Sequence, residues 1–170
     1  MKQLLSLGAA LLAAACATVP VPPVSLEGLP AAFEMSGRIA VRHGTQGEIA
    51  RLRWERAAAS DVWVLASPVG TELARIERGA EGLVIHRPGA APLAAASFSE
   101  LTEHLLGAAL DERLLVAWLH RRPATGPEGW EVSIDESQRL GGHEVARRIT
   151  ASRGDTVVKL VVDDYRAGPE

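Results

Sequence analysis

Gly37-Arg38-Ile39-Ala40-Val41-Arg42 and, past the turn His43-Gly44-Thr45-Gln46-Gly47, Glu48-Ile49-Ala50-Arg51-Leu52-Arg53-Trp54-Glu55 decide the fold class of this chain. In the second run Ala50, Leu52 and Trp54 alternate with Arg51, Arg53 and Glu55. A period of two puts successive side chains on opposite faces of a strand, so one face is buried and the other wet. The same signal continues outward. Asp61-Val62-Trp63-Val64-Leu65-Ala66 predicts a third strand, ended by Ser67-Pro68-Val69-Gly70. Glu72 to Glu77 predicts a fourth and Gly82 to Arg87 a fifth. Short alternating runs joined by Gly-containing turns predict an antiparallel meander.

The period then lengthens. Ser97 or Ser99 can cap a helix running through Leu101, Leu105 and Leu106 to Gly107, with Glu100 in its first turn. Asp111 begins a second helix, in which Leu114, Leu115, Trp118 and Leu119 fall at helical spacing and Pro123 lies just past the end. Strands return with Trp130 to Ile134, Glu144 to Thr150 and Thr156 to Val162. The last is apolar apart from Lys159 and reads as a strand covered on both faces. Asp135-Glu136 reads as a turn, and Asp163-Asp164 as a solvated strand end, because adjacent strand carboxylates point to opposite faces.

The chain start sets the compartment. Met1-Lys2-Gln3 is a small basic region, Leu4 to Leu12 an apolar stretch too short to span a bilayer, and Ala13-Ala14-Ala15 the small residues of a cleavage site. Cys16, the only cysteine, follows directly and makes the segment similar to a bacterial lipobox, whose thiol receives a diacylglycerol. A plain secreted protein with one free thiol is the alternative. Residues 1–15 are read as a signal peptide. Residues 16–32, with Pro20, Pro22, Pro23 and Pro30, are read as a lipidated N-terminus and extended tether, and residues 33–170 as one domain. With a single cysteine no intrachain disulfide forms, so packing alone must hold the fold. The net charge of −3 is spread without runs, which argues against a nucleic-acid partner.

No catalytic motif stands out. His43, His86, His104, His120 and His143 are scattered, and His143-Glu144-Val145-Ala146-Arg147 lacks the second histidine of a zinc-binding H-E-x-x-H helix. There is no phosphate loop, dinucleotide fingerprint or nucleophile elbow. Neither an enzyme nor a metal or cofactor site is expected. The tryptophans offer more. Trp54 and Trp63 lie in register with apolar strand residues and Trp118 on the apolar stripe of a helix. Such residues either pack a core or line an apolar cavity.

Taken in order, these features resemble the LolB family of outer-membrane lipoproteins, over most of residues 33–165. The resemblance rests on the lipobox, on Phe33 through Gly37-Arg38-Ile39-Ala40-Val41, and on the strand closing at Trp54. Ser67-Pro68-Val69-Gly70-Thr71-Glu72 is similar to the family's S-P-L-G turn. Leu106-Gly107, Leu115-x-x-Trp118-Leu119 with Pro123, and Trp130-x-Val132 are similar to its helix and following strand. The chain departs from the family pattern at Val69, where Leu is usual, at Asp111 for Pro, at Arg121 for Gly and at Tyr165 for Trp.

The resemblance implies an unclosed antiparallel β-barrel covered by helices, as in LolA and LolB, with an apolar cavity between. It implies a lipid-anchored receptor on the periplasmic face of the outer membrane. Such a receptor accepts lipoproteins from the periplasmic carrier LolA by their acyl chains and inserts them into the bilayer. Candidate lining residues are Ile39, Leu52, Trp54, Trp63 and Leu65 on the strands, and Leu101, Leu105, Leu115 and Trp118 on the helices. Pro68 fixes a turn and Gly70 permits unusual φ, so Val69 is presented at a hairpin tip or folds back onto the sheet. The resemblance implies that Pro68, Val69 and Gly70 touch outer-membrane phospholipid. A monomer is the expected state. The rival class is a structural or envelope-assembly lipoprotein with a filled core. The soluble carrier shares the fold, but Cys16 would anchor a shuttle that must move.

Overall fold

The alternation first seen in residues 37–55 runs further than those limits. The structure is a computed structural model that describes residues 24–106, 109–125 and 129–168, with the backbone alone at 104–106. Its strands are β1 (Phe33–His43), β2 (Gln46–Ala57), β3 (Ser60–Ala66), β4 (Glu72–Gly79), β5 (Gly82–His86) and β6 (Leu93–Ala95). The helices α1 (Phe98–Leu106) and α2 (Glu112–Leu119) follow, then β7 (Glu131–Leu140), β8 (His143–Arg153) and β9 (Thr156–Ala167). Phe33 and Met35 continue the inward set of Ile39 and are almost wholly buried, so β1 starts four residues before the predicted Gly37.

All pairings are antiparallel, in the order β6-β5-β4-β3-β2-β1-β9-β8-β7. The first strand therefore lies beside the last, and β6 and β7 remain as the edges of an unclosed barrel. At the seam β9 bulges against β1, with Asp163 as the extra residue opposite Ser36 and Gly37. A Cβ on Gly37 would stand 2.2 Å from the Val161 carbonyl oxygen, so only glycine fits this crossing. Asp163 lies in the bulged segment of β9 and accepts two hydrogen bonds from Arg38, at 3.1 and 2.8 Å, on the exposed face.

Two expectations are corrected here. Thr156 to Val162 is not covered on both faces: Val158, Leu160 and Val162 are buried, Lys159 is exposed and Val157 and Val161 are half-buried. Its apolar run suits a strand flanked by β1 and β8, where β-branched side chains pack against both neighbours. Asp135-Glu136 is not a turn but lies inside β7, where the register with β8 slips around Glu136. Asp135 there accepts hydrogen bonds from Ser133 and Thr150, at 2.6 and 2.7 Å, which hold its carboxyl below the ordinary aspartate range.

Register defines two ends of the half-barrel. Phe33, Arg56, Asp61, Arg78 and Ala167 mark one, and the β1–β2, β3–β4 and β8–β9 turns the other. Helix α2 crosses the first end. Asp111 caps it by accepting from the Arg113 backbone N–H at 2.7 Å, and Glu112 reaches Arg78 of β4 at 3.4 Å. At its other end Arg121 and Arg122 donate backbone hydrogen bonds to the Trp118 and Ala117 carbonyls, the Schellman pattern. Arg121 occupies the left-handed position of that motif, at φ 64°, where glycine is the unstrained choice. Helix α1 lies along β6. Ser97 caps it by accepting from the Glu100 N–H at 3.0 Å, while Glu100 accepts from the Ala96 N–H, a reciprocal cap one residue outside the box pattern.

Candidate functional site

The inward column of each strand faces the two helices. Trp54 and Trp63 are cross-strand neighbours and stack with ring centroids 5.7 Å apart, and Phe98 of α1 closes on Trp63 at 4.8 Å. Phe33 meets Trp54 edge-on at 4.9 Å. Each such pair adds about 0.5–1.5 kcal/mol beyond the area it buries. Together they seal the end of the barrel that α2 crosses.

A buried charge network stiffens that end. Asp61 is wholly buried, on the same face as Trp63. It accepts from the Trp54 indole N–H at 2.8 Å, from Arg56 at 3.2 Å and from Arg78 at 2.9 Å and through a second guanidinium nitrogen. Arg78 also pairs with Glu112, which ties α2 to β4. Burial first, then the neighbouring Asp61 and Asp111 charges, push the Glu112 carboxyl up, against the pull of Arg78 and Arg56. Across α2, His120 donates from Nδ1 to the Val116 carbonyl at 2.8 Å and accepts from the Tyr165 hydroxyl at 2.9 Å. Burial holds His120 below its ordinary pKa and pushes Tyr165 up to about 12.

Above this plug lies an apolar cavity of about 150 Å³. Ile39, Leu52, Trp54, Trp63 and Leu65 line it from the strands, Leu101 from α1, and Leu115 and Trp118 from α2. For Leu105 only the backbone is described, within α1. Residues not named from the sequence also line it: Val41, Ala50, Ile76, Phe98 and Leu110, and Ile149, Ala151, Val158 and Leu160 from β8 and β9. Parity alone would have found most of them, since Val41 and Ala50 stand two residues from Ile39 and Leu52. The Thr102 hydroxyl accepts from the Leu110 N–H at 2.7 Å and is satisfied. The Trp63 indole N–H is buried with no acceptor among the described residues.

Burial along the strands shows where the cavity opens. Trp54, Trp63, Ile76 and Leu101 are buried, whereas Ile39, Val41, Ala50 and Leu65 are half-exposed and Glu48 is exposed. The mouth therefore faces the β1–β2 and β3–β4 turns. The β3–β4 turn is tight: Gly70 N–H donates to the Ser67 carbonyl at 2.9 Å and Ser67 N–H to the Thr71 carbonyl at 2.8 Å, with Gly70 at φ 96°. Pro68 and Gly70 are exposed beside it, and Val69 is 89% exposed at the tip rather than folded back onto the sheet. Cys16 lies outside the described residues.

A family profile described as "Outer membrane lipoprotein LolB" matches residues 31–140. The chain belongs to the LolB family. Relatives carrying the name "Outer-membrane lipoprotein LolB" agree along nearly the whole length. The one from Thiobacillus denitrificans is 29% identical and covers 91% of this chain and 91% of its own. The one from Cupriavidus pinatubonensis is 32% identical and covers 96% of this chain and 94% of its own. Among solved structures, a LolA superfamily protein from Nitrosomonas europaea superposes with a TM-score of 0.55 at 10% identity, over 84% of this chain and 88% of that one. That likeness supports the fold alone, an open half-barrel of the LolA and LolB type.

As a LolB-family protein this chain is an outer-membrane lipoprotein receptor in lipoprotein localisation, and not an enzyme. Its location is the outer membrane, by lipid anchor. No helix among the described residues is long and apolar enough to cross a membrane.

Proposed function

We propose that this LolB-family receptor takes lipoproteins from LolA by holding their acyl chains in the cavity, and releases them into outer-membrane phospholipid past the Val69 tip. On this reading Cys16 carries the lipid anchor, residues 16–32 are the tether, and residues 33–170 form one receptor domain that acts as a monomer. The observation that carries the reading is the apolar cavity itself, with strand and helix walls that offer a guest contact but no covalent chemistry. Burying acyl chain is favourable by about 0.8 kcal/mol per CH₂. An apolar cavity of this size takes a guest of about six carbons as it stands. A longer chain is accommodated through the open mouth, or by movement of α1 against the short edge strand β6. An interior with this much unfilled apolar space favours a receptor over a filled-core accessory lipoprotein.

The test is a fluorescent fatty-acyl probe whose emission rises on transfer from water. The wild-type domain should bind it, and Leu65→Glu, which puts a carboxylate on the half-exposed wall, should weaken binding at least about tenfold while the domain stays folded. A folded wild-type domain that ignores the probe would refute the acyl-chain reading. Handover is tested separately, by incubating loaded LolA with the domain and following the client from one to the other.

A further inference from the structure

Among the described residues the apolar cavity has a single charged lining side chain, and that residue stands at the mouth. Glu48 shares the inward parity of Ala50, Leu52 and Trp54, faces Val41 across the β1–β2 ladder, and is exposed. It forms no ion pair among the described residues. Among the described residues no lysine, arginine or histidine lines the cavity. We propose that Glu48 selects the linkage at the head of the bound acyl chain, admitting ester- or amide-linked chains and rejecting chains that end in a free carboxylate.

This rests on the acyl-cavity reading above and adds a specificity-determining residue to it. A chain that enters tail-first leaves its head group between Ile39, Val41 and Glu48. An ester or amide there is neutral, and an amide N–H or a glyceryl hydroxyl can donate to the Glu48 carboxylate. A free fatty acid puts a second carboxylate in the same place. Two like charges about 6 Å apart in a mostly aqueous mouth disfavour the complex by about 3- to 10-fold in affinity. The penalty is partly screened as salt rises, because the mouth is wet. The consequence is selective: a receptor with this residue is not filled by free fatty acids of the same chain length.

The experiment compares head groups on one chain length. Hexanoate, N-methylhexanamide and hexylammonium, whose chains match the roughly six carbons the cavity holds and so leave the head group beside Glu48, compete against a neutral fluorescent probe, with wild type, Glu48→Gln and Glu48→Lys. The affinity for the amide is the reference in each protein, so that any general effect of a substitution on the cavity cancels in the ratio. The amide-to-carboxylate affinity ratio should fall about 3- to 10-fold in Glu48→Gln and further in Glu48→Lys, while hexylammonium moves the opposite way. Raising salt to about 0.5 M should shrink the wild-type ratio and leave that of Glu48→Gln unchanged. If the amide binds wild type and the ratio is the same in all three proteins, the selector role is overturned and the cavity reading stands. If the folded wild type binds no amide, the cavity reading fails and the selector role falls with it. Glu48 is exposed and has no ion pair among the described residues, so its variants should fold, which circular dichroism checks.

Discussion

Replacing Val69 by glutamate should leave folding and acyl-chain acceptance intact and slow release into a bilayer by at least about tenfold. The side chain is 89% exposed. The hydrogen bonds that hold its turn belong to Ser67, Gly70 and Thr71, and none uses the Val69 side chain. A substitution at such a site shifts stability by no more than about 0.5 kcal/mol. Transfer of the valine side chain from water into the acyl region is worth about 1.5 kcal/mol, close to one factor of ten. Glutamate forfeits that gain and adds the penalty of desolvating a carboxylate. Leucine adds one methylene, about 0.8 kcal/mol, so Val69→Leu should speed release about fourfold. The assay separates the two steps: loading from the carrier in solution, then release of a labelled client into liposomes. Release by Val69→Glu at the wild-type rate would remove the membrane role of the tip. Loss of loading together with thermal stability would mean that the valine is structural after all.

Four further outcomes follow from the packing. Arg121→Gly relieves a left-handed backbone worth about 1 kcal/mol but gives up an exposed ion pair with Glu144 worth less, so its melting temperature should rise by about 1–3 °C; Glu144→Gln serves as the control. Asp61→Ala leaves Arg56 and Arg78 without their buried partner and should cost about 3–5 kcal/mol in urea unfolding. His120 is held neutral by burial below its ordinary value of 6.5, so the unfolded chain binds the extra proton. Stability is therefore full above pH 6.5 and declines as pH falls below it, and His120→Gln should flatten that slope in urea titrations at several pH values. At the alkaline end Tyr165 acts the other way, with stability lost as pH rises from 10 toward its folded value of about 12.

Much of the fold was legible because the strands are wet on one face. Alternation names the inward column of β2 without ambiguity, and Ser97 and Asp111 mark both helix starts. Strand β6 was missed because Leu93-Ala94-Ala95 is too short to show any period. The apolar run in β9 misled for a related reason: Val157 and Val161 are half-buried side chains on the outer face, and hydropathy cannot tell that from full coverage. The turn read at Asp135-Glu136 is a bulge, which uses turn-forming residues without reversing the chain. The site was half legible. Parity shows which residues face inward, but whether facing walls touch depends on how far α2 stands from the sheet, and no local pattern encodes that distance.

The exceptions to the alternation carry information of their own. Arg56, Asp61, Arg78 and Glu48 each break an inward apolar column. A charge on an inward face must either find a partner or reach water, because burial of a lone ion is costly. Asp61 and Arg78 are cross-strand neighbours and satisfy each other at the sealed end. Glu48 has the exposed β1–β2 turn beside it and solves the problem with solvent. On β2, β3 and β4 the paired inward charges mark the floor of the cavity, and Glu48, without an ion pair among the described residues, marks its mouth. An inward acid near a turn, with no basic residue in register across either neighbouring strand, is thus a sequence-level sign of an opening. Its cross-strand partner, Val41, is apolar, which leaves the Glu48 carboxylate to solvent and to whatever head group a bound chain presents.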